Sequence, residues 1–246
     1  MINKLIEQKQ KLESLKPYGS EAIREFLEDL ELKFIYHSNA ISGSKTTLIE
    51  TKAILNGNKI EGKSSDEYLE VLNQKAAIGY IIKLAQEKSD ITPENVKHTN
   101  ELILNNIDLL NAGKYVEDLE DSSVSEKMNN FFIWYNLNKT KYHPVELAAR
   151  LSIALKKIRP FINGNGKTIR LILNLELLKN DYPITIIGIN GTDVCSAALK
   201  KAYTTDDCSD YINLLSSYVL RSFNKYFDII AGRRWEDKNY EHEFVL

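Results

Sequence analysis

The sequence predicts an all-α fold organised around one central helix–loop–helix. Three observations carry that prediction. Apolar residues recur mostly at three- and four-residue spacing, the signature of helical faces. Only five prolines and eleven glycines interrupt 246 residues. One segment, Thr168 to Leu178, is apolar nearly all round, which is the pattern of a helix buried at the centre of a fold.

Taken in order, residues 2–15 read as a first helix. Residues 21–37 read as a second, with Ile23, Phe26, Leu27, Leu30 and Phe34 on one stripe. A third runs from Thr47 to Leu55 and stops at Asn56-Gly57. A fourth spans Ser65 to about Lys88. Thr92-Pro93-Glu94 is a cap followed by proline at the first helical position, leading a helix through Ile107. Residues 111–126 are turn-rich and acidic, and a helix begins near Lys127. From Pro144 to Ile158, the residues Leu147, Leu151, Ala154, Leu155 and Ile158 define one helical face, which Pro160 ends. Tyr182 to Ile187 reads as a short strand or an extended link. Helices over about 193–203 and 208–229 precede a charged tail. The expected organisation is an N-terminal helical segment (1–60), a core domain (61–231) and the tail (232–246).

The chain is 43% hydrophobic and 27% charged, enough to bury one substantial core. A net charge of −2 gives no global basic field, so neither nucleic acid nor an anionic membrane is an expected partner. No apolar run approaches the ~18 residues of a membrane span. The charged start, Met1-Ile2-Asn3-Lys4, is wrong for a signal peptide, and the expected location is cytoplasmic. Cys195 and Cys208 read as free thiols rather than a disulfide framework.

The informative stretch is Arg159-Pro160-Phe161-Ile162-Asn163-Gly164-Asn165-Gly166-Lys167-Thr168-Ile169-Arg170. Two Asn-Gly pairs permit left-handed backbone, so successive N–H groups can converge into a nest. The nest opens into a helix N-terminus, whose dipole also favours an anion. Lys167 and Arg170 add cations on the same turn. These features suit a phosphate site; a plain glycine turn between helices is the other reading.

The loop resembles the signature of the Fic family, H-P-F-x-D/E-G-N-G-R-x-x-R. Pro160, Phe161, Gly164, Asn165, Gly166 and Arg170 match it. Asn174, Leu177-Leu178 and Tyr182-Pro183-Ile184 resemble the family's continuation. His143-Pro144 with Ala148-Ala149 resembles its lead-in, and Gly62-Lys63-Ser64 with Glu70, Asn73 and Ala76-Ala77 resembles the opening of its core. The resemblance covers roughly residues 35–230. It implies the Fic helical bundle and a site that transfers AMP from ATP, with Mg²⁺, onto a target hydroxyl. It also implies that Phe161, Asn163, Gly164, Asn165, Gly166, Lys167 and Arg170 form the nucleotide-binding loop.

The departures are concentrated where that chemistry is done. Arg159 stands at the position of the family's general base, and a guanidinium does not deprotonate in proteins. Losing a general base typically costs ~10²–10⁴ in rate. Asn163 replaces the metal-binding acid and offers a hard cation only a neutral oxygen, so no metal ligand is assigned. Lys167 replaces the first motif arginine and loses bidentate phosphate recognition. Gly113-Lys114-Tyr115 resembles the start of the family's target-aligning hairpin, but Val116 follows where arginine is expected. About a dozen polar residues then leave room only for a reduced flap or none. Ser38-Asn39-Ala40-Ile41-Ser42-Gly43 resembles an inhibitory S/T-x-x-x-E-G/N helix with Ser42 in place of the glutamate, so the carboxylate that would pair Arg170 is missing.

The expectation is therefore a Fic-fold pseudoenzyme that retains nucleotide or phosphate binding and acts by binding, with a protein partner. Two alternatives stand beside it. One is a diverged nucleotidyl- or phosphotransferase drawing a metal ligand from Glu117, Asp118, Glu120 or Asp121. The other is a structural helical adaptor. Gly57-Asn58-Lys59-Ile60-Glu61-Gly62-Lys63-Ser64 fits the P-loop pattern, but the preceding helix argues against it. His143 reads as a helix-start residue; His37, His98 and His242 read as solvated or locally bonded. Arg233-Arg234-Trp235 reads as a helix-end cap.

Overall fold

The structure is a computed structural model that describes residues 1–15, 21–116 and 123–231. Among these residues it contains ten α-helices: α1 (Ile2–Ser14), α2 (Glu21–Ile41), α3 (Leu48–Leu55), α4 (Ser65–Gln86), α5 (Pro93–Leu104), α6 (Val124–Asn138), α7 (Pro144–Ile158), α8 (Asn165–Lys179), α9 (Thr192–Thr205) and α10 (Ser209–Ile230). A 3₁₀ turn covers Ile189–Gly191. The tail from 232 and the acidic residues 117–122 lie outside the described residues, and with them Arg233-Arg234-Trp235 and His242.

Local chemistry sets most helix starts. Thr47 caps α3 in a reciprocal box: Glu50 N donates to Thr47 Oγ1 at 3.2 Å, and Thr47 N donates to Glu50 Oε2 at 2.7 Å. Ser64 and Glu67 repeat this arrangement at α4. His143 caps α7, accepting from Val145 N at 3.3 Å, with Pro144 at the first helical position.

α8 is the axle of the fold. It packs against α7, α4, α5 and α2, and Leu171, Ile172, Leu173, Leu175 and Leu177 are all buried. Among its buried polar residues, Glu176 and Asn174 are each satisfied within the core. Glu176 accepts from Tyr135 Oη at 2.8 Å and Asn180 Nδ2 at 2.9 Å, beside Lys179 Nζ at 3.2 Å. Asn174 accepts from Thr185 N at 2.7 Å and donates to Thr185 O at 3.1 Å. In the extended link 182–187, a side chain rather than a neighbouring strand thus satisfies both backbone groups of Thr185. α2 lies across α3, α4, α8 and α10, while α1 packs on α10.

Several boundaries and faces differ from the sequence-based expectation. α2 runs to Ile41, because Phe34, Ile35, His37, Ser38 and Asn39 are all buried and extend the packed face past His37. Leu27 is 40% exposed, off the buried stripe of Ile23, Phe26, Leu30 and Phe34. α6 begins at Val124, where Ser123 Oγ accepts from Glu126 N at 3.2 Å. α8 begins at Asn165, inside the expected loop. His37 is buried rather than solvated: it accepts weakly from Ile189 N at 3.4 Å, and burial lowers its pKa to about 4. His98 is locally bonded, to Glu101 at 2.9 Å. No helix among the described residues is long and apolar enough to cross a membrane.

Candidate functional site

The site is built where α7 stops. Pro160 disfavours helical geometry in the residue before it, and Arg159 takes a left-handed conformation at φ 51°, ψ 63°. Its N–H still donates to Leu155 O at 2.9 Å, so the helix closes before the chain swings away. Phe161 then pairs with Tyr115 in a single antiparallel bridge, and Val116 N donates to Pro160 O at 2.9 Å. The Phe161 and Tyr115 rings meet at 5.5 Å. This bridge roots the segment where the reduced flap was expected; the rest of that segment lies outside the described residues, which contain no strand.

The loop closes on itself through Asn165. Its Oδ1 accepts from Phe161 N at 3.1 Å, and its Nδ2 donates to Phe161 O. Gly164, at φ 78°, turns the chain into α8 without a side-chain cap. The N–H groups of Asn165, Gly166 and Lys167 head the first turn of α8, where a helix offers donors without partners of its own. A Cβ on Gly164 would lie 2.7 Å from Asn100 Nδ2, so glycine is required by both conformation and space.

Asn100, fully buried on α5, is the clamp that sequence reasoning missed. Its Nδ2 donates to Asn163 O at 3.0 Å and to Thr168 Oγ1 at 3.2 Å, while its Oδ1 accepts from Gly113 N at 3.0 Å. One amide thus joins α5, the flap root, the loop and α8. Nothing local in the sequence marks it, because its loop partners lie more than sixty residues away.

The loop floors a cleft of about 440 Å³ lined by Ser42, Glu70, Asp108, Lys156, Arg159, Asn163 and Lys167, among others. Lys167 is buried, with Glu70 Oε1 3.7 Å from its Nζ, and burial lowers its pKa. Arg170 is held by α2: Nε donates to Ser38 Oγ at 3.0 Å, while Nη2 donates to Ser38 O at 2.7 Å and to Ser42 Oγ at 2.9 Å. Burial lowers its pKa to about 10, which leaves it a cation at neutral pH. Its Nη1 faces Gly166, 3.3 Å from where a Cβ there would stand. A smaller apolar hollow of about 100 Å³, with Ile41, Ile169, Leu173, Leu199 and Tyr211, adjoins the cleft through Lys156 and Gly166, and Arg170 lines this hollow rather than the cleft itself.

The structure therefore gathers Arg159, Asn163, Gly164, Asn165, Gly166, Lys167 and Ser42 around one cleft, with Phe161 buried beneath them. Ser38 reaches the site only through Arg170. Gly43 forms the turn ending α2, where its N donates to Ala40 O at 3.0 Å, and it is not among the cleft's lining residues. Ser38 and Ser42 thus meet Arg170 with two hydroxyls and a backbone carbonyl, none of them charged. Asn163 Nδ2 donates to Asp108 Oδ2 at 2.8 Å, which puts a carboxylate beside the neutral motif position. Among the described residues, no three His, Cys, Asp or Glu side chains are grouped to hold a metal. The P-loop-like segment follows α3, and its Lys63 is spent on Glu67 at 2.9 Å and Glu50 at 3.3 Å.

Comparison with known proteins identifies the family. Residues 90–177 match the model of the Fic/DOC family. A protein named protein adenylyltransferase Fic from Nematostella vectensis is 34% identical over 205 residues, covering 76% of this chain and 46% of the relative. Its namesake from Drosophila melanogaster is 31% identical over 177 residues, 68% of this chain and 36% of the relative. The chain thus spans less than half the length of these relatives. Among solved structures, a Fic domain containing signaling protein from Bacteroides thetaiotaomicron superposes with a TM-score of 0.85 at 27% identity. That match covers 96% of this chain and 99% of the other. Fic-1 from C. elegans gives 0.86 at 25% identity, covering 93% and 71%. With the helical bundle, the glycine loop opening α8 and these relatives in agreement, the chain is a member of the Fic/DOC family.

Proposed function

We propose that this protein binds a nucleoside triphosphate in the cleft over Gly164–Arg170, transfers AMP little or not at all, and acts through binding, with a protein as partner. The name protein adenylyltransferase carried by its relatives supplies the ligand class. The donors at the start of α8 and Lys167 suit the phosphates, with the Arg170 guanidinium behind Gly166 adding positive charge. The apolar hollow adjoining Arg170 suits a less polar part of the same ligand.

The observation that carries the reading is Arg159. It lines the cleft where the family's base is expected, and it cannot accept a proton from a target hydroxyl. As a fixed cation it instead adds attraction for phosphate. Mg²⁺, when bound, would neutralise phosphate charge.

The test is transfer of α-labelled AMP from ATP with Mg²⁺ to the protein itself and to a lysate, beside a repaired Arg159→His/Asn163→Asp variant. Labelling by the repaired protein alone supports the reading. Comparable labelling by the unaltered protein overturns it.

A further inference from the structure

Asp108 lies in the turn after α5, outside the signature loop and at no position where the motif carries an acid. Its backbone is fixed by that turn: Asp108 N donates to Leu104 O, and Ala112 N donates to Asp108 O, both at 3.0 Å. Its carboxylate accepts from Asn111 Nδ2 at 2.9 and 3.0 Å and from Asn163 Nδ2 at 2.8 Å. Both residues of the last pair line the phosphate cleft, together with Gly164 and Lys167. The charge missing at Asn163 therefore stands one hydrogen bond away, on a side chain from a different element.

We infer that Asp108, with the Asn163 amide oxygen beside it, forms a divalent-cation site that holds Mg²⁺ against the phosphates of the bound nucleotide. The inference rests on the nucleotide-binding reading above. Mg²⁺ is commonly held by one or two carboxylates plus substrate phosphates and water, so a single carboxylate suffices where phosphate completes the shell. In the structure the Asn163 amide presents its donor to Asp108. Rotation of the Asn163 side-chain amide by half a turn replaces the donor facing Asp108 with an oxygen and sets two oxygens side by side. The three-carboxylate cluster that a free ion would need is not required.

The experiment is calorimetric titration of ATP into the full chain, in EDTA and in Mg²⁺, for the unaltered protein and for Asp108→Asn. The asparagine variant keeps the size of the side chain and its capacity to accept from Asn163. A matched melting temperature shows that it is folded; Asp108→Ser serves if it is not. The expected result is that Mg²⁺ tightens ATP binding to the unaltered protein, and that substitution removes about tenfold or more of that gain. The readout is the ratio of affinities with and without Mg²⁺ for each protein, so that any effect of the substitution on metal-free binding cancels. Manganese bound to the ATP complex, followed by its electron paramagnetic resonance signal, should show the same loss. Binding in EDTA that Mg²⁺ does not strengthen, or a gain that survives the substitution, overturns the cation site alone. Absence of binding in both buffers overturns the nucleotide reading and the cation site with it.

Discussion

Arg170 shows how much one substitution changes at the scale of a residue. Ser42 Oγ sits 2.9 Å from its Nη2, a neutral contact that leaves the guanidinium's charge unspent. Ser42→Glu would put a carboxylate in reach and convert that contact into a charge-assisted pair. Nucleotide affinity should then fall by about tenfold or more, given the ~1.5–3 kcal/mol of hydrogen bonds to charged groups, as isothermal calorimetry would read directly. Arg170→Ala should weaken ATP binding as well; undiminished affinity would rule out the anion site. Gly164→Ala should cost about 1–3 kcal/mol in urea denaturation, combining left-handed strain with crowding of Asn100. The signature residues were readable because they are contiguous and their chemistry is local. Asn100 and Asp108 were not, because their roles exist only once residues 63 and 55 positions apart are brought together.

At the scale of elements, legibility followed the caps. Thr92-Pro93-Glu94 announced α5, and the structure bears out that cap; the Ser64/Glu67 and Thr47/Glu50 spacings also form capping boxes. Ser64→Ala should lower stability by about 1 kcal/mol, measured as a shift in the denaturation midpoint at unchanged slope. The start of α6 was missed because Ser123 stands at the end of an acidic run that masks the cap. Residues 182–187 had strand-like composition, and composition cannot reveal that Asn174 would occupy the backbone groups of Thr185. The start of α8 was placed three residues late because Asn165 and Gly166 read as turn residues, whereas they form the helix's first turn.

At the scale of the whole molecule, the start of every α-helix among the described residues was placed to within about three residues, and the central position of α8 followed from its apolar circumference. What a linear pattern could not supply was burial of polar groups between elements. His37 is the clearest case, buried near Lys33 and Lys225 with its pKa lowered from 6.5 to about 4. Unfolding raises that pKa, so below 6.5 the unfolded chain takes up protons that the folded chain refuses. The contribution is complete above pH 6.5 and is lost as pH falls toward 4, amounting to about 3 kcal/mol. A His37→Gln variant should show a flatter fall of stability across that window. A second long-range feature is the grip of α2 on Arg170. With Nε and Nη2 committed to Ser38 and Ser42, the remaining Nη1 is aimed at Gly166 before any anion arrives. The rotamer freedom of an arginine, about 2 kcal/mol, is thus surrendered when the chain folds rather than when ligand binds. Anion capture at this turn should therefore show a correspondingly smaller entropic penalty than capture by a free surface arginine.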